Sequence, residues 1–97
     1  MAQVVYSTEA FADLERIVEH LLDTAPEGAT AALARVRSAV DVLATHPQIG
    51  RRVHGALRQL VISHGVSGYL ALYRFDAGLD VVRVLRIRHQ REAGYTD

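Results

Sequence analysis

The residues best suited to chemistry gather near the end of the chain. Arg83, Arg86, Arg88, His89 and Arg91 crowd into nine positions, and Tyr95 follows them. Guanidinium groups are planar, permanently charged forks that grip phosphate or carboxylate through paired hydrogen bonds. A second basic group, Arg51, Arg52, His54 and Arg58, lies upstream. Both groups suit contact with a polyanion or an acidic peptide. All eleven basic residues are arginine, which excludes a Schiff-base amine or a tunable lysine base. The absence of cysteine excludes disulfides and thiolate metal sites. His20, His46, His54 and His64 lack metal-ligand spacing, so neither a metal nor a cofactor is expected.

The zero net charge of the 97 residues conceals a division. Residues 1–50 hold three arginines against seven acids, a charge of −4, while residues 51–97 hold eight against four, a charge of +4. The first half is therefore acidic and the second basic. The basic half can meet a partner, or the two halves can pair with each other. With 49% hydrophobic and 23% charged residues, the composition is that of one ordinary globular domain spanning 1–97. No apolar run approaches the ~20 residues that span a bilayer. No basic region followed by an apolar stretch opens the chain. A cytoplasmic location without membrane attachment is expected.

These groups must be carried by elements the pattern makes legible. Gln3 to Tyr6 reads as a strand, and Ser7 or Thr8 as the cap of a helix. Ala10, Phe11, Leu14, Ile17, Val18, Leu21 and Leu22 recur at three and four residues, a helical face, with Asp13, Glu15, Arg16, Glu19 and Asp23 assigned to the other side. Pro26 suits the first turn of a second helix, on which Ala29, Leu33, Val36, Val40 and Leu43 form the apolar stripe. His46-Pro47 ends that helix. Pro47 to Arg52 reads as a turn, Leu57 to His64 as a strand, and Gly65 to Gly68 as a turn. Tyr69 to Phe75 is the next strand, with Tyr69, Ala71, Tyr73 and Phe75 on one face, more suited to a core than to stacking on bases. Asp76-Ala77-Gly78 is a hairpin turn with positive φ expected at Gly78.

The last strand starts at Leu79. Simple alternation puts Val81, Arg83, Leu85, Ile87 and His89 on one side and Val82, Val84, Arg86 and Arg88 on the other. Arg83 is then expected to face inward and form a structural ion pair, and Arg58 can pair with an acid of the first helix. The order is β-α-α-β-β-β, an α+β class with a helical hairpin packed on a small antiparallel sheet.

Order and local motifs together resemble the RelE/ParE superfamily of type II toxin–antitoxin toxins, over nearly the whole chain. The motifs are Ala12-Asp13-Leu14-x-x-Ile17, Leu43-x-x-His46-Pro47-x-x-Gly50-Arg51, Leu57-Arg58-x-Leu60, the aromatic strand Tyr69 to Tyr73, and Val84-Leu85-Arg86-Ile87-x-His89-x-Arg91. The resemblance implies a small toxin neutralised by a cognate ParD- or RelB-like antitoxin in a hetero-oligomer. Antitoxin contact is expected at Leu14, Ile17, Leu21, Val36 and Val40. Target contact is expected at Arg51, Arg52, Arg58, Arg86, Arg88 and Arg91.

The superfamily contains two activities, and the residues bear on both. ParE-like members poison DNA gyrase; RelE-like members cut mRNA on the ribosome without metal. Metal-free RNA cleavage needs a base, an acid and positive charge on the transition state. The resemblance assigns His89 as acid or base, Arg58, Arg86 and Arg91 as phosphate clamps, and Tyr95 as a stacking or proton-relay residue. The ribonuclease branch leans on lysines before and within the second strand. This chain offers Arg51, Arg52 and His54 there, and a guanidinium scarcely deprotonates. The ParE-like, non-enzymatic branch is therefore favoured, with a ribosome-dependent nuclease or an antitoxin-binding module without activity as alternatives.

Overall fold

Ser7 fixes where the first helix begins. In the computed structural model, which describes residues 1–64 and 67–92, its Oγ accepts from the Ala10 amide at 3.0 Å and donates to the Leu85 carbonyl at 2.8 Å. One hydroxyl thus caps the helix and ties it to the last strand. Strand β1 (Gln3–Tyr6) precedes helix α1 (Thr8–Thr24). A 3-10 turn at Pro26–Gly28 leads into α2 (Ala29–Asp41), and another at Val42–Ala44 closes that helix ahead of Pro47. Four strands follow: β2 (Arg51–His54), β3 (Leu57–His64), β4 (Ser67–Asp76) and β5 (Val81–His89).

The α+β class and the order of elements hold, with β2 added where a turn was expected. Gly55, at φ 55°, opens the two-residue turn joining β2 to β3, a position that favours glycine. The strands lie in the order β1-β5-β4-β3-β2. β1 runs parallel to β5 and the other neighbours are antiparallel, so the sheet is mixed. Of the turn expected at Gly65 to Gly68, Gly65 and Val66 lie outside the described residues, while Ser67 and Gly68 already belong to β4. In the β4–β5 turn the positive φ falls on Asp80, not Gly78, while Asp76 Oδ1 accepts from the Leu79 amide at 3.1 Å.

Both helices cover one face of the sheet. Tyr69, Ala71 and Tyr73 are buried there as expected, with Ile62 of β3 and Val82, Val84 and Ile87 of β5. From the helices come Ala10, Ile17, Val36, Val40 and, just beyond α2, Leu43. Burial of each large apolar side chain contributes about 1.5–3 kcal/mol. Ala32 faces inward where Leu33 was expected; Leu33 is exposed.

A β-bulge sets the geometry of β5. Tyr73 pairs with Val84 but Leu72 pairs with Arg86, so Leu85 is an extra residue. The bulge shifts the alternation by one. Ile87 therefore shares the core face with Val82 and Val84, which simple alternation had placed opposite it.

Candidate functional site: a cationic sheet with a buried carboxylate

The centre of the charged structure is Asp13, expected on the outer side of α1 but found facing inward. It is only 3% exposed. Its carboxylate accepts from Arg86 Nε at 2.9 Å, Arg86 Nη2 at 3.1 Å and the Ile87 amide at 2.8 Å. Arg16, one turn along α1, adds a longer contact at 3.4 Å. Burial alone would raise the carboxyl pKa, but the bonds from Arg86 and Ile87 and the charge of Arg86 outweigh it and hold it below 3.8. The spacing of Ala10, Asp13 and Ile17 was the missed signal, because three- and four-residue steps put all three on one face.

Arg16 extends the network. It donates to Glu92 Oε1 at 3.1 Å, and the same oxygen accepts from the His89 amide at 3.1 Å. Arg88 donates to the Glu92 carbonyl. The end of β5 is thereby fastened to α1. His89 Nδ1 accepts from the Arg91 amide at 3.1 Å, so the neutral ring carries its proton on Nε2. The ring meets Tyr69 edge-on at 5.3 Å. His89, Tyr69, Arg91, Arg16, His20 and Glu92 border a cavity of about 570 Å³ between α1 and the ends of β4 and β5.

The second basic group sits elsewhere. Arg58 donates to the carbonyls of Gln48 at 3.0 Å and Gly50 at 2.9 Å, bracing the segment before β2 and making no ion pair with α1. The Gly50 amide donates to the buried Tyr73 hydroxyl at 2.8 Å. Burial raises the Tyr73 pKa; the Gly50 hydrogen bond and the nearby Arg58 charge oppose this. Arg51 and Arg52 are exposed on β2, with Arg52 opposite Arg58. Arg58 lies opposite Tyr73 and His89 opposite Tyr69. The two positions on β4 are four residues apart, roughly 13 Å at about 3.3 Å per residue.

The expected sites are thus brought together in two groups, not one. His89, Arg86, Arg88 and Arg91 share the end of β5, while Arg51, Arg52 and Arg58 lie toward the β2 edge. Tyr95 lies outside the described residues. Arg83 makes no ion pair among the described residues; the structural ion pair expected of it belongs to Arg86. Of the expected antitoxin contacts, Leu14 and Leu21 keep part of their surface and the other three do not. Ile17, Val36 and Val40 are buried in the chain's own core, and Leu14 and Leu21 pack partly against it. The helices instead expose Phe11, Leu22 and Leu33, with Val42 just beyond α2. Among the described residues no cluster of His, Asp or Glu is placed to hold a metal, and no helix is long and apolar enough to cross a membrane.

Comparison with known proteins gives a consistent answer. Residues 4–94 match the family described as ParE toxin of the type II toxin–antitoxin system parDE. Toxin RelE3 of Caulobacter vibrioides is 36% identical over 92 residues, covering 95% of this chain and 98% of that protein. Toxin RelE2 of the same organism is 38% identical over 89 residues, covering 92% and 96%. Among solved structures, the chromosomal ParDE system of P. aeruginosa superposes with a TM-score of 0.74 at 24% identity, covering 90% of this chain and 94% of that one. The E. coli RelBE toxin–antitoxin complex does so with a TM-score of 0.62 at 12% identity, covering 90% and 94%. These two share the fold. With a matched family spanning almost the whole sequence and relatives above one-third identity, the chain belongs to the ParE toxins of type II toxin–antitoxin systems, within the RelE/ParE superfamily.

Proposed function

We propose that this toxin acts in the cytoplasm by inhibiting DNA gyrase without cutting RNA, and that a ParD- or RelB-like antitoxin neutralises it in a hetero-oligomer. The observation carrying this reading is the separation of the residues a nuclease would need together. Arg86 is committed to buried Asp13, Arg58 to two backbone carbonyls, and the backbone positions of His89 and Arg58 are offset by four residues, roughly 13 Å, along β4. A metal-free nuclease needs its acid or base and its phosphate clamps free to converge on one reacting centre. Inhibition by binding has no such requirement. For the antitoxin, Phe11, Leu22 and Leu33 on the helices, with Val42 just beyond α2, are the exposed apolar side chains a partner can cover.

A second reading draws on the names of the curated relatives, both RelE toxins, and on the cavity beside His89. In that reading His89, with Arg91 beside it, serves ribosome-dependent mRNA cleavage. Purified toxin freed of its antitoxin should inhibit gyrase supercoiling and trap cleaved DNA, and His89→Ala should inhibit equally. Intact supercoiling, with mRNA cut in a translation extract and cutting abolished by His89→Ala, would establish the second reading instead.

A further inference from the structure

The face of the sheet turned away from the helices holds two arginines side by side. Arg74 of β4 and Arg83 of β5 are directly opposite in the antiparallel register. Opposite residues on neighbouring strands share a face, with Cβ atoms roughly 5 Å apart, and like charges there repel. Neither arginine makes an ion pair or hydrogen bond to any described residue. The nearest acid along β4 is Asp76, whose Oδ1 accepts from the Leu79 amide instead of meeting a guanidinium. Arg51, opposite Gln59 in the next row of that face, is exposed and likewise without a partner among the described residues. A fold that holds cations side by side without a counter-ion is prepared for an anion from outside.

The rest of the face narrows the kind of anion. Arg83 is flanked by Val5 of β1 and Arg74 by Leu57 of β3, and among the described residues no tyrosine or phenylalanine lies on this face. Tyr6, Tyr69, Tyr73 and Phe75 all pack toward the helices. Recognition of single strands rests on aromatic stacking, for which the described residues of this face offer no platform. Duplex DNA keeps its bases stacked internally and presents closely spaced phosphates that guanidinium forks match in pairs.

We propose that the outer sheet face centred on Arg74 and Arg83, with Arg51 beside them, binds the phosphodiester backbone of double-stranded DNA without reading its sequence. This surface is distinct from the cavity beside His89 and does not depend on the gyrase reading. The charge repulsion is relieved when phosphates sit between the two guanidinium groups.

The test uses fluorescence anisotropy with a labelled random-sequence duplex and contains no gyrase. Wild-type toxin should bind with an affinity that falls steeply with salt, by about 0.9 log units per log unit of salt for each phosphate neutralised. Arg74→Ala with Arg83→Ala should weaken binding at least tenfold at low salt and flatten the salt slope by about 1.8. The thermal midpoint should stay or rise, because a repulsive pair has been removed. If that variant does not fold, Arg74→Gln with Arg83→Gln keeps the aliphatic stems and answers the same question. No duplex binding by wild type, or equal binding by the folded variant, overturns the proposal. So does tighter binding of single-stranded RNA or of a polyglutamate peptide than of the duplex.

Discussion

At the scale of single residues, Asp13 decides more than any other side chain. Its carboxylate satisfies a half-buried arginine and a buried backbone amide beside a bulge. Removing one partner of a buried charge pair leaves the other uncompensated, at a cost of roughly 3–5 kcal/mol. Asp13→Ala should therefore lower stability by about that much. Asp13→Asn keeps the shape and should lose about 1–3 kcal/mol at pH 7. The pH dependence has a definite sign. Because folding depresses this carboxyl pKa, its contribution is complete above about 4, the ordinary carboxylate value, and is lost as pH falls through the folded value. Urea unfolding of wild type and Asp13→Asn should differ fully at pH 7 and converge toward pH 2. A constant difference across that range would show that the charge is not what Asp13 contributes.

At the scale of elements, the segment between α2 and β2 is braced by Arg58 and pressed against Tyr73 at Gly50. A Cβ built on Gly50 would lie 2.6 Å from both Cε1 and the hydroxyl of Tyr73 and 3.0 Å from the Gln59 carbonyl. Since Tyr73 is buried and backbone lies behind, neither neighbour can yield cheaply. Gly50→Ala should cost about 1–3 kcal/mol, and Tyr73→Phe, which orphans the Gly50 amide, about the same. Thermal melts of the two variants check this; a midpoint shift under a degree for Gly50→Ala would mean the segment repacks freely. This contact also explains why Pro47-x-x-Gly50-Arg51 could be read as a motif from sequence. What was legible elsewhere followed periodicity: Leu14, Ile17 and Leu21 announce α1, and Tyr69, Ala71 and Tyr73 announce β4. What was not legible broke it. β2 is exposed at all four residues and shows no alternation. The extra residue Leu85 leaves no mark in a run of β-branched and charged side chains. Asp13 is not legible because its charge suits the outer face of α1 while its spacing belongs to the core.

At the scale of the molecule, the body measures 41 × 25 × 24 Å, and its burial is concentrated unevenly. β4 and β5 are central in the sheet and carry Ala71, Tyr73, Val82 and Val84, all at 0% exposure. β2 forms one edge, pairs with β3 only through Arg51, Arg52 and His54, and contains an irregular register. Local opening free energies follow buried apolar contact and the exposure of backbone hydrogen bonds. Amide hydrogen exchange should therefore be slowest at Ala71, Tyr73, Val82 and Val84, requiring global unfolding. The amides of residues 51–54 should exchange by local opening, at least a hundredfold faster. Protection of β2 equal to that of β4 would contradict this division. The rigid strands then keep the His89 cavity and the Arg74–Arg83 pair in fixed register, while Arg51 and Arg52 sit where the backbone can adjust to a partner. A toxin that acts by binding gains from that arrangement, because the fixed face sets position and the loose edge completes the contact.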